Sequence, residues 1–175
     1  NGSPGTDEIN PIAMSVDLFG NVITTGTFTG SLDFDPGTGT TMLNTMAGMY
    51  DVYVQKFNSS GQLVWAISLA GNGYSSVCGV QTDASGNIYL AGGMDAAIDF
   101  DPGLATNLVA PFGDRDAFLL KLDATGSATW VRHWGVAMHN TSAQALVVDL
   151  NNDIIVSGFF QDTVDFDPGA SVVNL

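Results

Sequence analysis

The sequence predicts an all-β protein made of tandem four-stranded blades of a β-propeller. The string Asp-Phe-Asp-Pro-Gly occurs three times, at 33–37, 99–103 and 165–169, with a spacing of 66 residues each time. Short apolar runs alternate with turn-forming residues roughly every 8–12 positions. Tandem units of this kind are typical of propeller blades, and the 175 residues hold about 2.7 of them.

The composition also favours strands and turns over helices. Only Glu8 among the 18 acidic residues is a glutamate, the other acids are aspartates, and Lys and Arg together number 4. Aspartate prefers turns, whereas glutamate and lysine dominate helix surfaces. The formal net charge of −14 disfavours nucleic acid and anionic lipid as partners and favours cations. With no apolar run of about 18 residues, membrane insertion is not expected.

The chain divides into one array of repeats, at 11–68, 77–134 and the incomplete 143–175. Each complete repeat is predicted to form four strands. The predicted strands are 11–16, 21–28, 52–57 and 62–68 in the first repeat, 77–82, 87–94, 117–122 and 127–134 in the second, and 143–148 and 153–160 in the third.

The third repeat lacks counterparts of strands 52–57 and 62–68. A sheet with an unpaired edge tends to pair with another strand, and propellers usually have about 4–8 blades. We therefore expect further blades of a longer chain, or other copies of this chain, to pair near 171–175 and to cover Phe166 and Val172. Copies would form a closed ring or an open filament. Because the first residue is Asn1, we expect a processed product or an excerpt.

The repeated acidic motif suggests a calcium site. Apolar and acidic residues alternate in Leu32-Asp33-Phe34-Asp35, which places both carboxylates on one face of a strand. Paired carboxylates beside a turn suit Ca²⁺, which takes six to eight oxygen ligands. The predicted ligands are Asp33, Asp35, Asp99, Asp101, Asp165 and Asp167. The alternative is a simple turn at 35–37, with Asp33 capping backbone amides.

The other repeated residues have structural interpretations. Turn chemistry accounts for Asp17, Asp83, Asp149, Asp51 and Asp116. The aromatic residues that recur at repeat spacing are expected between blades; they are Trp65, Trp130, Phe34, Phe100 and Phe166. Lys56 and Lys121 are expected to pair with an aspartate of the repeat, since carboxylates keep a neighbouring lysine protonated.

No catalytic residues are predicted, and the chain is not expected to be an enzyme. Cys78 has no cysteine at the equivalent repeat positions, which indicates a core thiol. His133 and His139 are six residues apart, and nothing in the sequence places them in one pocket as a nucleophile and base would require. Asn58 and Asn140 lie in Asn-x-Ser/Thr sequons of predicted loops, where glycans are tolerated.

The repeat resembles the SBBP-type β-propeller repeats. The resemblance rests on Asp51-Val-Tyr-Val-Gln-Lys-Phe57 followed by Trp65, and on Asp83-Ala-Ser-Gly-Asn-Ile88. It covers nearly the whole chain and implies a secreted or cell-surface location but no activity. The Asp-Phe-Asp-Pro-Gly insert is similar to a subgroup often exported by the type IX route. Asp162-Thr163-Val164 resembles the O-glycosylation motif of such bacteria, which makes Thr163 a candidate.

These observations predict a structural or adhesive module of an extracellular surface or filament-forming protein, calcium-stabilised and glycosylated. A carbohydrate- or protein-binding propeller that uses loops at one rim is the alternative, and a polysaccharide-active enzyme domain is the third. The symmetry of the repeats distinguishes these three functions, because a binding or active site usually alters the sequence of one blade. The motifs remain equal, and 135–141 is the main irregular loop.

Overall fold

The computed structural model describes residues 7–45, 49–103, 105–167 and 173. This part of the chain contains 14 strands and no helix, which confirms the all-β prediction. None of its residues lies in a helix that could cross a bilayer.

Blade 1 is an antiparallel sheet in the order β1-β2-β5-β6. Its strands are β1 (Glu8–Val16), β2 (Val22–Thr29), β5 (Asp51–Phe57) and β6 (Leu63–Leu69). A two-stranded connecting hairpin, β3 (Ser31–Asp33) and β4 (Met42–Asn44), lies between β2 and β5.

Blade 2 repeats this arrangement, with the order β12-β11-β8-β7. Its strands are β7 (Ser75–Thr82), β8 (Ile88–Met94), β11 (Asp116–Leu122) and β12 (Ala128–Trp134), with the connecting hairpin β9 (Ile98–Asp99) and β10 (Leu108–Val109). In the third repeat, β13 (Ser142–Val148) pairs with β14 (Ile154–Phe159). The predicted strands agree with these bounds to within three residues. The sequence analysis missed the connecting hairpins.

A bulge and a glycine recur together in the first hairpin of every repeat. The register shifts between Pro11 and Ala13 in β1, and at the equivalent positions of β7 and β13. Opposite the bulge, a Cβ on Gly26 would lie 2.0 Å from the carbonyl oxygen of Asn10. Gly92 and Gly158 have the same close approach. Only glycine allows the two backbones to approach this closely.

Blades 1 and 2 share one buried core. Val52 and Leu69 of blade 1 pack in the same cluster as Met94, Phe118 and Leu120 of blade 2, and all five are 0% exposed. A second cluster joins blade 2 to the third repeat through Tyr89, Ala91, Ala117, Leu119, Ala143 and Leu146, with Trp130 and Trp134 packed against it. These two clusters are made between blades, as in a propeller. A third cluster contains Phe28, Phe34 and Tyr53 and lies within blade 1 and its connecting hairpin, so Phe34 does not lie between two described blades as expected.

The two repeated tryptophans hold equivalent strand positions, as predicted. Trp65 pairs with Lys56 in register, and Trp130 pairs with Lys121. Trp65 packs over the β11–β12 turn of blade 2, where its Nε1 donates to the carbonyl of Ala124 at 3.3 Å. A Cβ on Gly126 would lie 3.2 Å from the Trp65 ring. The outer hairpin of one blade thus docks on the tryptophan of the preceding blade.

Candidate functional site

The aspartates that open the first turn of each repeat are backbone caps. In Asp17, Asp83 and Asp149, Oδ1 accepts two amides of the turn at 2.8–2.9 Å. Burial raises the pKa of Asp17, but hydrogen bonds from the Asn21 side chain and from two amides outweigh it and hold the pKa below its usual value. The turn interpretation of these three residues is confirmed.

The first aspartate of each Asp-Phe-Asp-Pro-Gly motif also caps amides. Oδ1 of Asp33 accepts the amides of Asp35 at 3.0 Å and Thr41 at 2.8 Å. These bonds lower the pKa of Asp33. Asp99 and Asp165 repeat the geometry with the same two distances. In all three motifs the first aspartate therefore caps backbone amides, as the alternative to a calcium site predicted.

The second aspartate of the motif faces its own turn. Oδ1 of Asp35 accepts the amide of Gly37 at 2.7 Å, and Asp101 accepts that of Gly103 at the same distance. Asp167 is the equivalent residue of the third motif, and the turn that follows it lies outside the described residues. Among the described residues, no group of three or more His, Cys, Asp or Glu side chains could hold one metal ion. Calcium binding stays a prediction.

Thermal melting tests the calcium prediction. Added Ca²⁺ is expected to raise Tm and a chelator to lower it, because a ligand of the folded state stabilises that state by mass action. The double variant Asp99→Asn/Asp101→Asn keeps oxygen acceptors for the amides but removes two charges, so it should melt normally and respond less to Ca²⁺. Identical melting in Ca²⁺ and chelator would leave the motif as a cap alone.

The repeated lysines differ in their partners. Lys56 Nζ lies 3.3 Å from Asp17 Oδ2, and these side chains are 7% and 0% exposed. Lys56 also donates to the carbonyl of Ala124 in blade 2 at 3.4 Å. Lys121 instead lies over the ring of Tyr89, 5.2 Å from its centroid. The predicted pairing with an aspartate holds for Lys56 and is wrong for Lys121, because the repeat places Tyr89 where blade 1 has Ile23.

The aspartates that begin the third strands are buried. Asp51 is 1% exposed and accepts the Gly71 amide at 3.2 Å. Burial raises the pKa of Asp51 to about 6, with only partial compensation from that amide. Asp116 is 0% exposed and accepts the amides of Phe112 at 2.9 Å and Gly113 at 3.1 Å. Both residues tie a loop to the start of a strand, as the turn interpretation predicted.

An aspartate–histidine pair in blade 2 was not predicted. His133 Nδ1 lies 2.8 Å from Asp116 Oδ2, and the Phe112 ring stacks on the imidazole at 4.4 Å. Blade 1 has Ser68 at the position of His133. The aspartate and the histidine are 17 residues apart in the chain, and only the β11–β12 register, in which Phe118 faces His133, brings them together.

The irregular loop at 135–141 packs against the loop that precedes β11. Asp114 donates its amide to the His139 carbonyl at 3.1 Å, and Thr141 donates its amide to the Arg115 carbonyl at 2.8 Å. His139 Nε2 lies 3.3 Å from Asp162, so the two histidines have different acidic partners. Neither forms a nucleophile–base pair with Cys78, which packs against the blade 2 core and whose thiol pKa is raised by burial.

The candidate glycosylation residues have different surroundings. Asn58 Nδ2 donates to Gln62 at 3.0 Å inside a turn. Asn140 is half-buried and contacts Gln161 through its backbone amide at 3.0 Å. Thr163 is exposed. Glycosylation stays a prediction at all three residues.

An open cavity of about 470 Å³ lies between blade 2 and the third repeat. Ala117, Leu119 and Trp134 line its blade 2 side, and Val156 and Phe166 line the other. Among the described residues, no strand pairs with the second edge of β14. The predicted edge at 171–175 lies outside the described residues except for Val173, which hydrogen-bonds to Phe166 of its own repeat.

The four-stranded sheets and inter-blade cores define a β-propeller-like repeat protein. No family model matches the chain. The chain is 26% identical over 158 residues to a WD repeat-containing protein of Acanthamoeba polyphaga mimivirus, an alignment that covers 84% of this chain and 11% of that protein. The chain thus spans about a tenth of the length of this relative. The similarity fits propeller blades, and the SBBP-type resemblance stays a prediction.

Proposed function

We propose that the chain is a non-catalytic β-propeller module that associates by accepting two further strands beside β14. The cavity between blade 2 and the third repeat carries this proposal. Its polar surroundings include Thr141, whose Oγ1 is buried and has no hydrogen-bond partner among the described residues. Among the described residues, the repeated aspartates act as backbone caps or in buried pairs, which supports a role other than catalysis.

The interface of blades 1 and 2 shows what fills the equivalent space. There, β11 pairs with β8 and inserts Phe118 and Leu120 between the blades. Phe118 packs on Phe100 at 5.2 Å. In the third repeat, β14 corresponds to β8 and Phe166 to Phe100. The cavity therefore fits the counterparts of Phe118 and Leu120 on a strand that pairs with β14.

Two residues of blade 2 support docking of the second half of this hairpin. In blade 1, Trp65 and Lys56 both contact the carbonyl of Ala124 in the next blade's β11–β12 turn. Trp130 and Lys121 hold the same positions in blade 2. A following hairpin would place its turn on these two residues, so a β-hairpin of the repeat's own type matches the surface at both ends.

Further blades of a longer polypeptide are the partner we propose. Blades 1 and 2 each use all four of their strands in one sheet. A second copy of the chain could lend its β5–β6 or β11–β12 hairpin only by breaking the β2–β5 or β8–β11 pairing, each of which spans seven residue pairs. Strands of a further blade, which are not already paired in a sheet, would bind beside β14 without breaking any existing strand pairing. Light scattering distinguishes further blades of one polypeptide from a second copy of the chain, because it measures molar mass and association of copies would give defined oligomers.

A fusion that completes the third blade tests the proposal. Residues 1–169 joined to a second copy of residues 104–134 would supply both missing strands in register. Burying two large apolar side chains contributes about 1.5–3 kcal/mol each before the cost of ordering the added segment. We expect Tm to exceed that of the 1–175 chain by at least ~5 °C.

The matched control carries Phe118→Asp and Leu120→Asp in the added copy only. Its length and linker are unchanged, but the two side chains cannot enter an apolar cavity, so its Tm should match that of the 1–175 chain. Equal melting of the fusion and its control would contradict the proposal. Circular dichroism checks that both retain the β-sheet signal.

The module's setting is part of the same proposal. We infer a structural or adhesive role in an extracellular or cell-surface protein, with glycans on Asn58, Asn140 or Thr163 and calcium at the Asp-Phe-Asp-Pro-Gly motifs. The SBBP-type resemblance supports the location. The sparse lysines and the charge of −14 support an affinity for cations.

A further inference from the structure

A pocket lies at the rim of blade 2, where the side chains differ from those at the equivalent positions of blade 1. It has a volume of about 320 Å³ and lies between β12 and the Asp-Phe-Asp-Pro-Gly motif of the third repeat. Phe112, Arg132, His133, Asp165 and Asp167 line it. At the positions of Arg132 and His133, blade 1 has Ile67 and Ser68. The repeat symmetry is therefore broken here by polar and aromatic substitutions, which is typical of a binding site rather than a structural array.

Buried Asp116 holds this pocket in shape. Its carboxylate accepts the amides of Phe112 and Gly113 and pairs with His133 Nδ1. The imidazole is thereby fixed, and Phe112 is stacked on one of its faces while 64% of the phenylalanine remains exposed. An exposed aromatic ring is costly to order in water, yet three hydrogen bonds to one buried carboxylate order this one. Such pre-organisation lowers the entropic cost of binding.

The opposite wall is also fixed by hydrogen bonds. Oδ1 of Asp165 accepts the amides of Asp167 and Val173. Arg132 lies over the Trp130 ring, 5.5 Å from its centroid, and donates to the carbonyl of Val131. The pocket thus presents carboxylates, a guanidinium and an imidazole around an apolar ring face.

This mixture of groups indicates the class of ligand. An anion would meet the carboxylates of Asp165 and Asp167, and a cation would meet Arg132. A neutral ligand with many hydroxyls matches both, because a hydroxyl can accept from an Arg N–H and can donate to a carboxylate or to Nε2 of His133, whose Nδ1–H is directed at Asp116. The C–H face of a sugar ring packs well on an aromatic ring. The volume lies at the lower end of small-ligand pockets, roughly 300–1,000 Å³. We propose that this rim pocket binds a hexose unit of a neutral carbohydrate.

A panel of immobilised neutral hexose oligosaccharides (glucans, mannans and galactans) is the probe, with a xylan and an acidic glycan for comparison, followed by titration calorimetry of the strongest ligand. Phe112→Ala and His133→Ser are each expected to weaken Kd at least tenfold, since losing one such contact costs about 1.4 kcal/mol. His133→Ser installs the blade 1 residue and leaves both amides of the Asp116 cap in place. Phe19→Ala is the control, since Phe19 is 68% exposed on another turn.

Binding of a neutral glycan that both pocket variants weaken and Phe19→Ala leaves unchanged supports the proposal. No binding to any neutral glycan, or binding that the pocket variants do not alter, overturns it. Preference for an acidic glycan also overturns it. Melting curves of each variant identify a folding defect, and Phe112→Tyr, which keeps the ring face, should retain binding. The pocket is formed without the strands proposed to pair with β14, so the fusion experiment and this one can fail independently.

Discussion

Replacing Lys56 with methionine is expected to lower the free energy of unfolding by about 3–5 kcal/mol, because it leaves the fully buried Asp17 carboxylate without its cation. Methionine preserves most of the apolar stem of lysine, so the loss is mainly electrostatic. The substitution also removes the hydrogen bond from Lys56 to Ala124, which joins blade 1 to blade 2. Urea denaturation monitored by tryptophan fluorescence measures the change.

Lys121→Met is the matched control for this prediction. Lys121 holds the same repeat position, but its ammonium lies over the Tyr89 ring rather than beside a buried carboxylate. Removing a cation–π contact costs about 0.5–2 kcal/mol. The double variant Lys56→Met/Asp17→Asn should recover part of the loss, since the buried charge is gone. Equal losses for the two single lysine variants would contradict the assigned pairing.

The fold could be predicted because the sequence repeats its turn chemistry. Asp17 and Gly26 each recur one repeat later in the same structural role, and Trp65 recurs at the same strand position. In blade 1 the three residues provide a cap, a close approach of two backbones, and a docking surface for blade 2, respectively. Local rules on turns and strand alternation act on neighbouring residues, so they can be read directly from the chain. The four-stranded units followed from those strands.

The connecting hairpins could not be predicted in the same way. β9 and β10 are two residues each, and residues 100–107 separate them. Such short strands have no measurable period. Their stability comes from tertiary contacts, such as the Asp99 amide bonded to Ala70 of blade 1. Contacts of this kind depend on how two blades meet, which local sequence does not encode.

The rim pocket was missed for a related reason. His133 and His139 are close in the chain, and the sequence predicts no shared role for them. The structure pairs His133 with Asp116 across two strands and pairs His139 with Asp162. A signal was present in the repeat alignment, since blade 1 has serine and isoleucine where blade 2 has His133 and Arg132. Comparing the repeats position by position would have found it.

The same comparison shows why identical motifs need not have identical chemistry. Lys56 and Lys121 align, yet one is in a buried ion pair and the other covers a ring. The difference arises at a neighbouring strand, where Tyr89 of blade 2 replaces Ile23 of blade 1 and donates its hydroxyl to Asp83 at 3.0 Å. The tyrosine hydroxyl thus bonds to the carboxylate equivalent to the one that Lys56 contacts in blade 1.

Phe118→Ala is expected to cost about 3–5 kcal/mol of unfolding free energy. Phe118 is 0% exposed and packs with Phe100 and with side chains of blade 1. Removing the ring leaves a cavity between two rigid sheets, which cannot collapse without breaking their strand pairing.

The control for Phe118→Ala is Phe19→Ala, which removes the same ring from a turn residue that is 68% exposed and should cost about 0.5 kcal/mol or less. Because Phe118 belongs to blade 2 while its contacts extend into blade 1, the variant should also separate the unfolding of the two blades. Urea transitions monitored by fluorescence and by circular dichroism, which coincide in the parent chain if it unfolds in one step, should then diverge. If Phe118→Ala lowered the unfolding free energy as little as Phe19→Ala does, the blades would not share the core that Phe118 occupies. The equivalent space beside β14 could then no longer be interpreted as the site of a further strand.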